Sequence, residues 1–593
     1  MSTQVDETAP AADAPARRGR RGRRVALVVV LLVVLLVVSL GWLAVRAVQA
    51  AGALLDARSV VDRVQTAIDD RDTDTIVASV PAAQDATGRA RSATSDPVWR
   101  LYEHAPWIGP QLRAVGTVSW ALDDVTHDAL PAVDAVAGLA DGSALRRADG
   151  SIDVDALAAA APRLHAAALA TSAASDRVAG IDTEALVGPL ADPVTQVRTA
   201  LAKVDAQLAG ADKVATLLPG MLGADGPRSY LFLALNSAEL RSAGGIVGTV
   251  LQVAADDGHL SLGKERTTSE LRALDEPVLP LTPAERELYG DQLGRWIQNA
   301  SATPDFPRTA ALITARWAAD VGGHVDGVVA TDPVAVKEVL GAVGKVRTGT
   351  GLTLEPSTFL RVLLSDTYRE TANGPQADAV FSSVAGSIFG AVTSGKGTSQ
   401  GLVAAVTEAS SQGRVRVWSA HDDEQRVLAG TLVGGAFLSG AAPDATGVFL
   451  DDITTGKLDY YLRTTVGVEC TASSRTATVR VTLAYDPPKD LADLPAYVLG
   501  TRPGEIPPGT LATRVVVYAP RGAELDSLTR DGDLVAGGQA VQDERSAVST
   551  TAFLRAGETT TVSASVPVRN GRVTVWATPT LTAPGVAEHT CSG

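Results

Sequence analysis

The chain reads as a multidomain protein: a transmembrane helix, an α-helical region, a central α/β (α+β) domain and a C-terminal antiparallel β-sandwich. Three observations predict this order. An uncharged apolar run stands near the N-terminus, and alanine-rich segments with helical spacing follow it. Strand and helix signals then alternate, until short strands alone remain after about residue 457. At 593 residues the chain is too long for a single core. It is 46% hydrophobic but only 4% aromatic, and its net charge is −15. Residues 1–24 are net positive, so the rest is acidic, which excludes general nucleic-acid binding through a basic face.

The N-terminus sets the compartment. Arg17, Arg18, Arg20, Arg21, Arg23 and Arg24 form a basic cluster, and residues 1–24 read as a disordered cytoplasmic tail. Val25–Val45 follows without a charge, long enough to cross a bilayer core, with Trp42 near its outer edge and Arg46 closing it. The positive-inside rule puts the bulk of the chain outside the cell membrane as a single-pass protein. The competing reading is a cleaved signal peptide ending near Val48-Gln49-Ala50, but the apolar run is longer than a signal h-region.

Residues 46–219 form the alanine-rich helical region, with breaks expected near 81–97, 106–110, 141–151 and 180–182. Apolar positions such as Leu54, Val61, Val64 and Ile68 recur at helical spacing. Trp99, Tyr102, Trp107 and Trp120 make an aromatic patch, read as a small core at a helix corner or, more sharply, as a sugar- or membrane-facing platform.

Residues 225–440 form the central domain. Asp256-Asp257-Gly258 suggests a hairpin, Thr309–Ala319 a helix and Asp326–Ala330 a strand. Asp332 is placed to cap the next helix, with Pro333 at its first position. Helices follow at 357–369, 376–393 and 399–411, then a closing strand at Val415–Ser419. Residues 457–593 carry strands near 458–468, 476–485, 513–518, 546–554, 559–566 and 572–578. Cys470 and Cys591 are the only cysteines. In an oxidising compartment an isolated pair most simply forms one disulfide, the other reading being two unrelated buried thiols. No zinc-like spacing occurs, and no metal or other cofactor is expected.

The candidate site lies in Tyr230–Val250, YLFLALNSAELRSAGGIVGTV. Two apolar strands flank a polar interruption holding Asn236, Glu239 and Arg241, and then the pair Gly244 and Gly245. Glu239 and Arg241 could hold a polar ligand or simply each other. The glycines mark a tight backbone, since no P-loop spacing follows. Asp305 reads as a turn former and Asp326 as a strand-end residue.

LALNSAELRSAGGIVG, with ATPDFPRTAALITARW, VDGVVATDP and GKLDYYL, resembles a family of exported proteins of Gram-positive bacteria, the domain of unknown function 4012; Trp418, Glu424 and Gln425 fit the same pattern. The resemblance runs from about Trp99 to the C-terminus and implies a membrane-anchored envelope protein involved with surface polysaccharide. A fainter likeness of the central domain to the LytR–CpsA–Psr fold implies a transferase working on a polyprenyl-pyrophosphate-linked glycopolymer. In that reading Asn236, Ser237 and Arg241 match the segment after the first strand, and Arg266 or Arg272 falls where an arginine meets pyrophosphate. Asn236 replaces an acidic residue, and Gly244-Gly245-Ile246 replaces a turn that helps hold magnesium, so a magnesium-assisted transfer loses an oxygen ligand. Two functions follow as expectations: a non-catalytic anchored protein that binds or scaffolds a surface polysaccharide or its polyprenyl-linked precursor, or a phosphotransferase of the LytR–CpsA–Psr kind, the one case in which magnesium is an expected cofactor.

Overall fold

The computed structural model describes residues 19–70, 73–129, 146–147, 149–440, 442–471, 475–500 and 506–591. The tail at 1–18 and most of the expected break at 141–151 lie outside these residues. The chain divides into two compact units, residues 1–137 with 160–212 and residues 138–159 with 213–593.

In the first unit, helix α1 runs Gly19–Asp70. It starts within the stretch expected to be a disordered tail, so Arg20, Arg21, Arg23 and Arg24 continue the helix; arginine is a good helix former. Val25–Val45 lies inside α1 and reaches about 31 Å at the helical rise, matching a bilayer core. This is the one helix among the described residues long and apolar enough to cross a membrane, and its apolar window has no buried share.

Helix α2, Thr73–Thr94, returns alongside α1. Arg89 pairs with Asp56 at 3.0 Å, and Asp96, just past α2, pairs with Arg46 at 3.1 Å. Small side chains make the seam: Ala50, Ala53 and Ala57 of α1 and Ala86, Ala90 and Ala93 of α2 are buried. The helix passes through Pro81, where a break was expected. The packed alanine seam outweighs the one hydrogen bond that proline removes. Helix α3, Pro97–Tyr102, is capped by Asp96, whose carboxylate accepts from Val98 N at 2.9 Å. Helix α4, Gly109–Asp124, packs Ala114, Val118 and Ala121 against Ala174 and Val178 of the helix Val154–Ala179 and Val194 and Leu201 of the helix Gly188–Met221. Trp99 is buried and donates to the Leu112 carbonyl, and Trp120 lies under the Arg91 guanidinium.

The second unit is built on a five-stranded sheet. Strands β1 (Arg228–Asn236), β2 (Ile246–Asp256) and β3 (His259–Thr267) form an antiparallel meander. Asp257 and Gly258 take positive φ at the expected hairpin turn. Strand β4 (Gly327–Thr331) pairs parallel to β1, a small ribbon β5 (Val346–Arg347) with β6 (Thr353–Leu354) follows, and β7 (Val415–Ser419) closes the sheet, giving the order β3-β2-β1-β4-β7. The expected helix at 357–369 is instead Phe359–Arg361, a π turn Val362–Asp366, and Thr367–Glu370.

Strand β8, Thr446–Asp452, was not foreseen. Every residue in it is buried, so it shows no polar alternation to read. It lies inside a six-stranded sheet of order β14-β15-β11-β8-β17-β18, where β11 is Leu511–Tyr518, β14 Gly538–Gln542, β15 Arg545–Leu554, β17 Arg572–Ala577 and β18 Val586–Thr590. A five-stranded sheet has the order β13-β12-β16-β10-β9, with β9 Leu462–Cys470, β10 Thr476–Tyr485, β12 Leu528–Arg530, β13 Asp533–Val535 and β16 Thr559–Pro567. Both sheets feed one hydrophobic cluster, including Val479, Val481 and Val562 from one and Val515, Val548 and Val575 from the other. The expected all-antiparallel pairing is corrected at one place: β17 runs parallel to β8, so the six-stranded sheet is mixed. Cys470, at the end of edge strand β9, and Cys591, just past edge strand β18, form a disulfide with Cα atoms 5.6 Å apart.

Candidate functional site

The polar interruption between β1 and β2 folds into a tight buried loop. Gly244 has φ +115°, in the region that favours glycine. A Cβ on Gly245 would sit 2.6 Å from the Asn236 carbonyl atoms, so no larger residue fits there. Ser237 Oγ donates to the Gly244 carbonyl at 2.9 Å, and Ile246 N to the Glu239 carbonyl at 2.8 Å.

Arg241 is buried, and protein groups occupy its fork. Its Nε and Nη2 donate to Asn299 Oδ1 at 3.1 and 3.0 Å, and its Nη1 to the carbonyls of Leu240 at 2.8 Å and Asp452 at 2.6 Å. Glu239 does not pair with it; Glu239 forms an ion pair with Lys457. The expected mutual pair is therefore replaced by two separate anchors, because β8 and the chain after it supply partners that sequence distance hides.

Three buried carboxylates stand around the loop. Asp451 accepts from Ser242 N at 3.0 Å, and Asp459 Oδ2 from Leu240 N at 2.8 Å. Asp452 accepts from Thr454 N at 2.7 Å. Burial pushes the Asp451 carboxyl up to about 6, although the charge of Arg241 pulls it the other way. Burial, and then the nearby Asp452 charge, push Asp459 well above the usual carboxylate range. The loop thus works as a lock between the central sheet and β8. A buried guanidinium with its hydrogen bonds made holds structure first.

The other proposed arginines do not join Arg241. Arg266 sits on β3 opposite Val250 and donates to the Glu265 carbonyl at 2.7 Å. Arg272 is exposed, and its carbonyl accepts from Arg316. The reason is strand register: Asn236 pairs with Ile246 at one end of β2, and Arg266 pairs further along it. Asp332 caps its helix through Ala335 N at 2.8 Å and also receives buried Arg414 at 2.6 Å. Asp305 is buried and accepts from the backbone of Leu438 and Ser439. Asp326 accepts from Ser229 N at 2.7 Å and stands beside Arg228 and His421, while Glu424 accepts from Ser419 Oγ, tying β1, β4 and β7 together. Among the described residues, no group of three histidine, cysteine, aspartate or glutamate side chains is placed to hold a metal ion.

The central domain also holds an apolar cavity that its sequence does not reveal. A cavity of about 550 Å³ lies between one face of the central sheet and the helices Pro333–Val343, Gly374–Thr393 and Ser399–Ser411. Phe232, Leu251 and Val329 line it from the sheet, and Phe381, Ile388 and Phe389 from the helix above. Its size is that of a small-molecule site. Asn236 also lines it and donates to the Tyr368 hydroxyl. Tyr368 stacks edge-on with Phe381, and the Lys457 ammonium lies 5.7 Å from the centre of the Tyr368 ring. The Asp378 carboxyl, raised by burial, accepts from Ser269 and feels the charges of Lys457 and Glu239. Asn236 and Asp332 are among the few polar residues of an otherwise apolar lining, which suits an apolar chain. The available signal was the helix Gly374–Thr393, where Val380, Phe381, Val384, Ile388, Phe389 and Val392 exceed one narrow stripe.

Residues 225–368 match the family model described as a protein of unknown function, DUF4012. No curated protein matches the chain, and no solved structure matches it.

Proposed function

Because the chain carries a DUF4012 domain over residues 225–368, which brings no reaction with it, we propose its function from the cavity: it is a membrane-anchored protein of the Gram-positive cell envelope whose central domain holds the apolar chain of a polyprenyl-linked polysaccharide precursor. The observation that carries this reading is the 550 Å³ chamber with its almost wholly apolar lining. Folded proteins keep few voids of this size without an occupant. The arginine-rich start of α1 favours a cytoplasmic N-terminus with the bulk outside, and the disulfide suits an oxidising compartment. The central α/β domain stands for a LytR–CpsA–Psr-like fold in this reading, and the two sheets sharing a core stand for the sandwich.

A phosphotransferase of the LytR–CpsA–Psr kind would use the same chamber. It would also need magnesium and arginines free to face a pyrophosphate. Arg241 gives its donors to Asn299 and two carbonyls, so holding the lipid-linked precursor without chemistry is the reading adopted. The test is a titration of the full chain in detergent with a fluorescent polyprenyl phosphate. Ala234→Trp fills the chamber from β1 and should weaken binding at least about tenfold, roughly 1.4 kcal/mol. Equal binding by both proteins would defeat the reading.

A further inference from the structure

We infer that the first unit carries a second membrane contact, a foot made by α3 and the turn after it, which rests in the outer interface of the bilayer beside the spanning helix. The inference depends on the anchor reading of α1. Three contacts place the foot at that level. Tyr102 OH lies 2.7 Å from Ser39 Oγ, Trp42 Nε1 donates to Asp96 at 3.1 Å, and Arg46 pairs with the same carboxylate at 3.1 Å. Ser39 is inside the uncharged run, about 9 Å below its end at Val45 by the helical rise. The residues around Tyr102 therefore stand at the depth where the hydrocarbon gives way to headgroups.

What the foot presents there is apolar and unburied. Trp107 is 88% exposed, Leu101 69% and Ile108 41%. Trp107 also has φ +68°, an uncommon conformation for a bulky residue, and it leaves the ring in the open. Its neighbour Trp99 is fully buried, so the same short stretch sends one indole to the core and one outward. Indole rings favour the interface, where an apolar body and an N–H are both accommodated. Arg100, exposed on α3, is suited to lipid phosphates. With α2 packed along α1, such a foot would fix how the bundle stands on the membrane as well as tether it.

The test uses the full chain in vesicles with brominated acyl chains. Both native cysteines are in the disulfide, so Trp107→Cys supplies one reactive thiol for an environment-sensitive dye. Its emission should shift to the blue and be lost with brominated lipid. Val61→Cys is the control: it is exposed on α1 about 24 Å beyond Val45 and should keep water-like, unquenched emission. Flotation is run first. Protein that does not float with the vesicles would overturn the anchor reading, and the foot with it. Protein that floats while the dye at position 107 behaves like the one at 61 would overturn the foot alone.

Discussion

On strand β1, Leu231, Leu233 and Leu235 alternate with Tyr230, Phe232 and Ala234, and all six are apolar, yet the two sets meet different surroundings. The leucines enter a packed core with Phe306, Ile313 and Trp317 of the helix Phe306–Asp320 and with Phe437 and Phe449 beyond it. The alternate residues line the chamber, which Leu235 also reaches past the register shift at Ala234/Leu235. The same division crosses the sheet: on β4, Val328 and Ala330 face the packed side, and Val329 and Thr331 the hollow one. One face is packed and the other hollow, and the hollow one is where the proposed occupant would lie. The residues lining the empty chamber lack packing partners on that side, and a bound apolar chain would supply those contacts.

The lock at the end of β1 should produce the largest effect. Arg241→Ala leaves the Asp452 carbonyl and Asn299 without their donor and removes the cation nearest three buried carboxylates. We expect a loss of about 3–5 kcal/mol, read as a lower midpoint in denaturant. A variant as stable as the wild type would free Arg241 for a ligand and reopen the phosphotransferase reading.

The two faces are compared directly by neighbouring truncations. Leu233→Ala should cost about 2–5 kcal/mol by calorimetry, since it empties a packed site. Phe232→Ala removes more atoms but opens onto space already empty, so its cost should be less than half as large. Equal losses would mean that the chamber is closed in solution.

The smallest effect concerns pH. Asp451 has a folded pKa of about 6 against an ordinary value of 3.8, so the folded protein binds this proton more tightly than the unfolded chain. The stability contributed by protonation is present below about pH 4 and lost as pH rises through 6. Going from pH 7 to pH 5, the wild type should gain about 1 kcal/mol relative to Asp451→Asn, about one degree in the melting temperature. Parallel pH profiles would show that Asp451 is not buried in its charged surroundings.

Local chemistry made much of the fold legible. The helix Ser399–Ser411 and strands β7 and β10 have the bounds that sequence reading gave them, since side-chain caps and turn residues mark their ends. Asp332 caps the helix it was expected to cap, and Cys470 meets Cys591. What escaped depends on contacts distant in sequence. Strand β8 is buried on both faces, and its LDD ending looks like a loop until Ser242 and Arg241 are seen against it. Asn236, Glu239, Arg241, Gly244 and Gly245 were legible as one constellation because they are contiguous. Their partners Lys457, Asn299, Asp451 and Asp459 were not, and Arg266 and Arg272 were drawn toward them by family likeness and not by register. The chamber was invisible because an apolar residue facing space and one facing a packed neighbour read alike in sequence.

Occupancy of the chamber is read by mass spectrometry of the lipid that the full chain retains through purification from its own membranes, with Ala234→Trp purified in parallel. Both proteins keep α1 and should carry the same annular lipid, so only the chamber separates them. We expect a polyprenyl phosphate, or a glycan-bearing derivative of one, near one per chain on the wild type and depleted on the variant. Identical lipid content on both proteins would contradict that expectation.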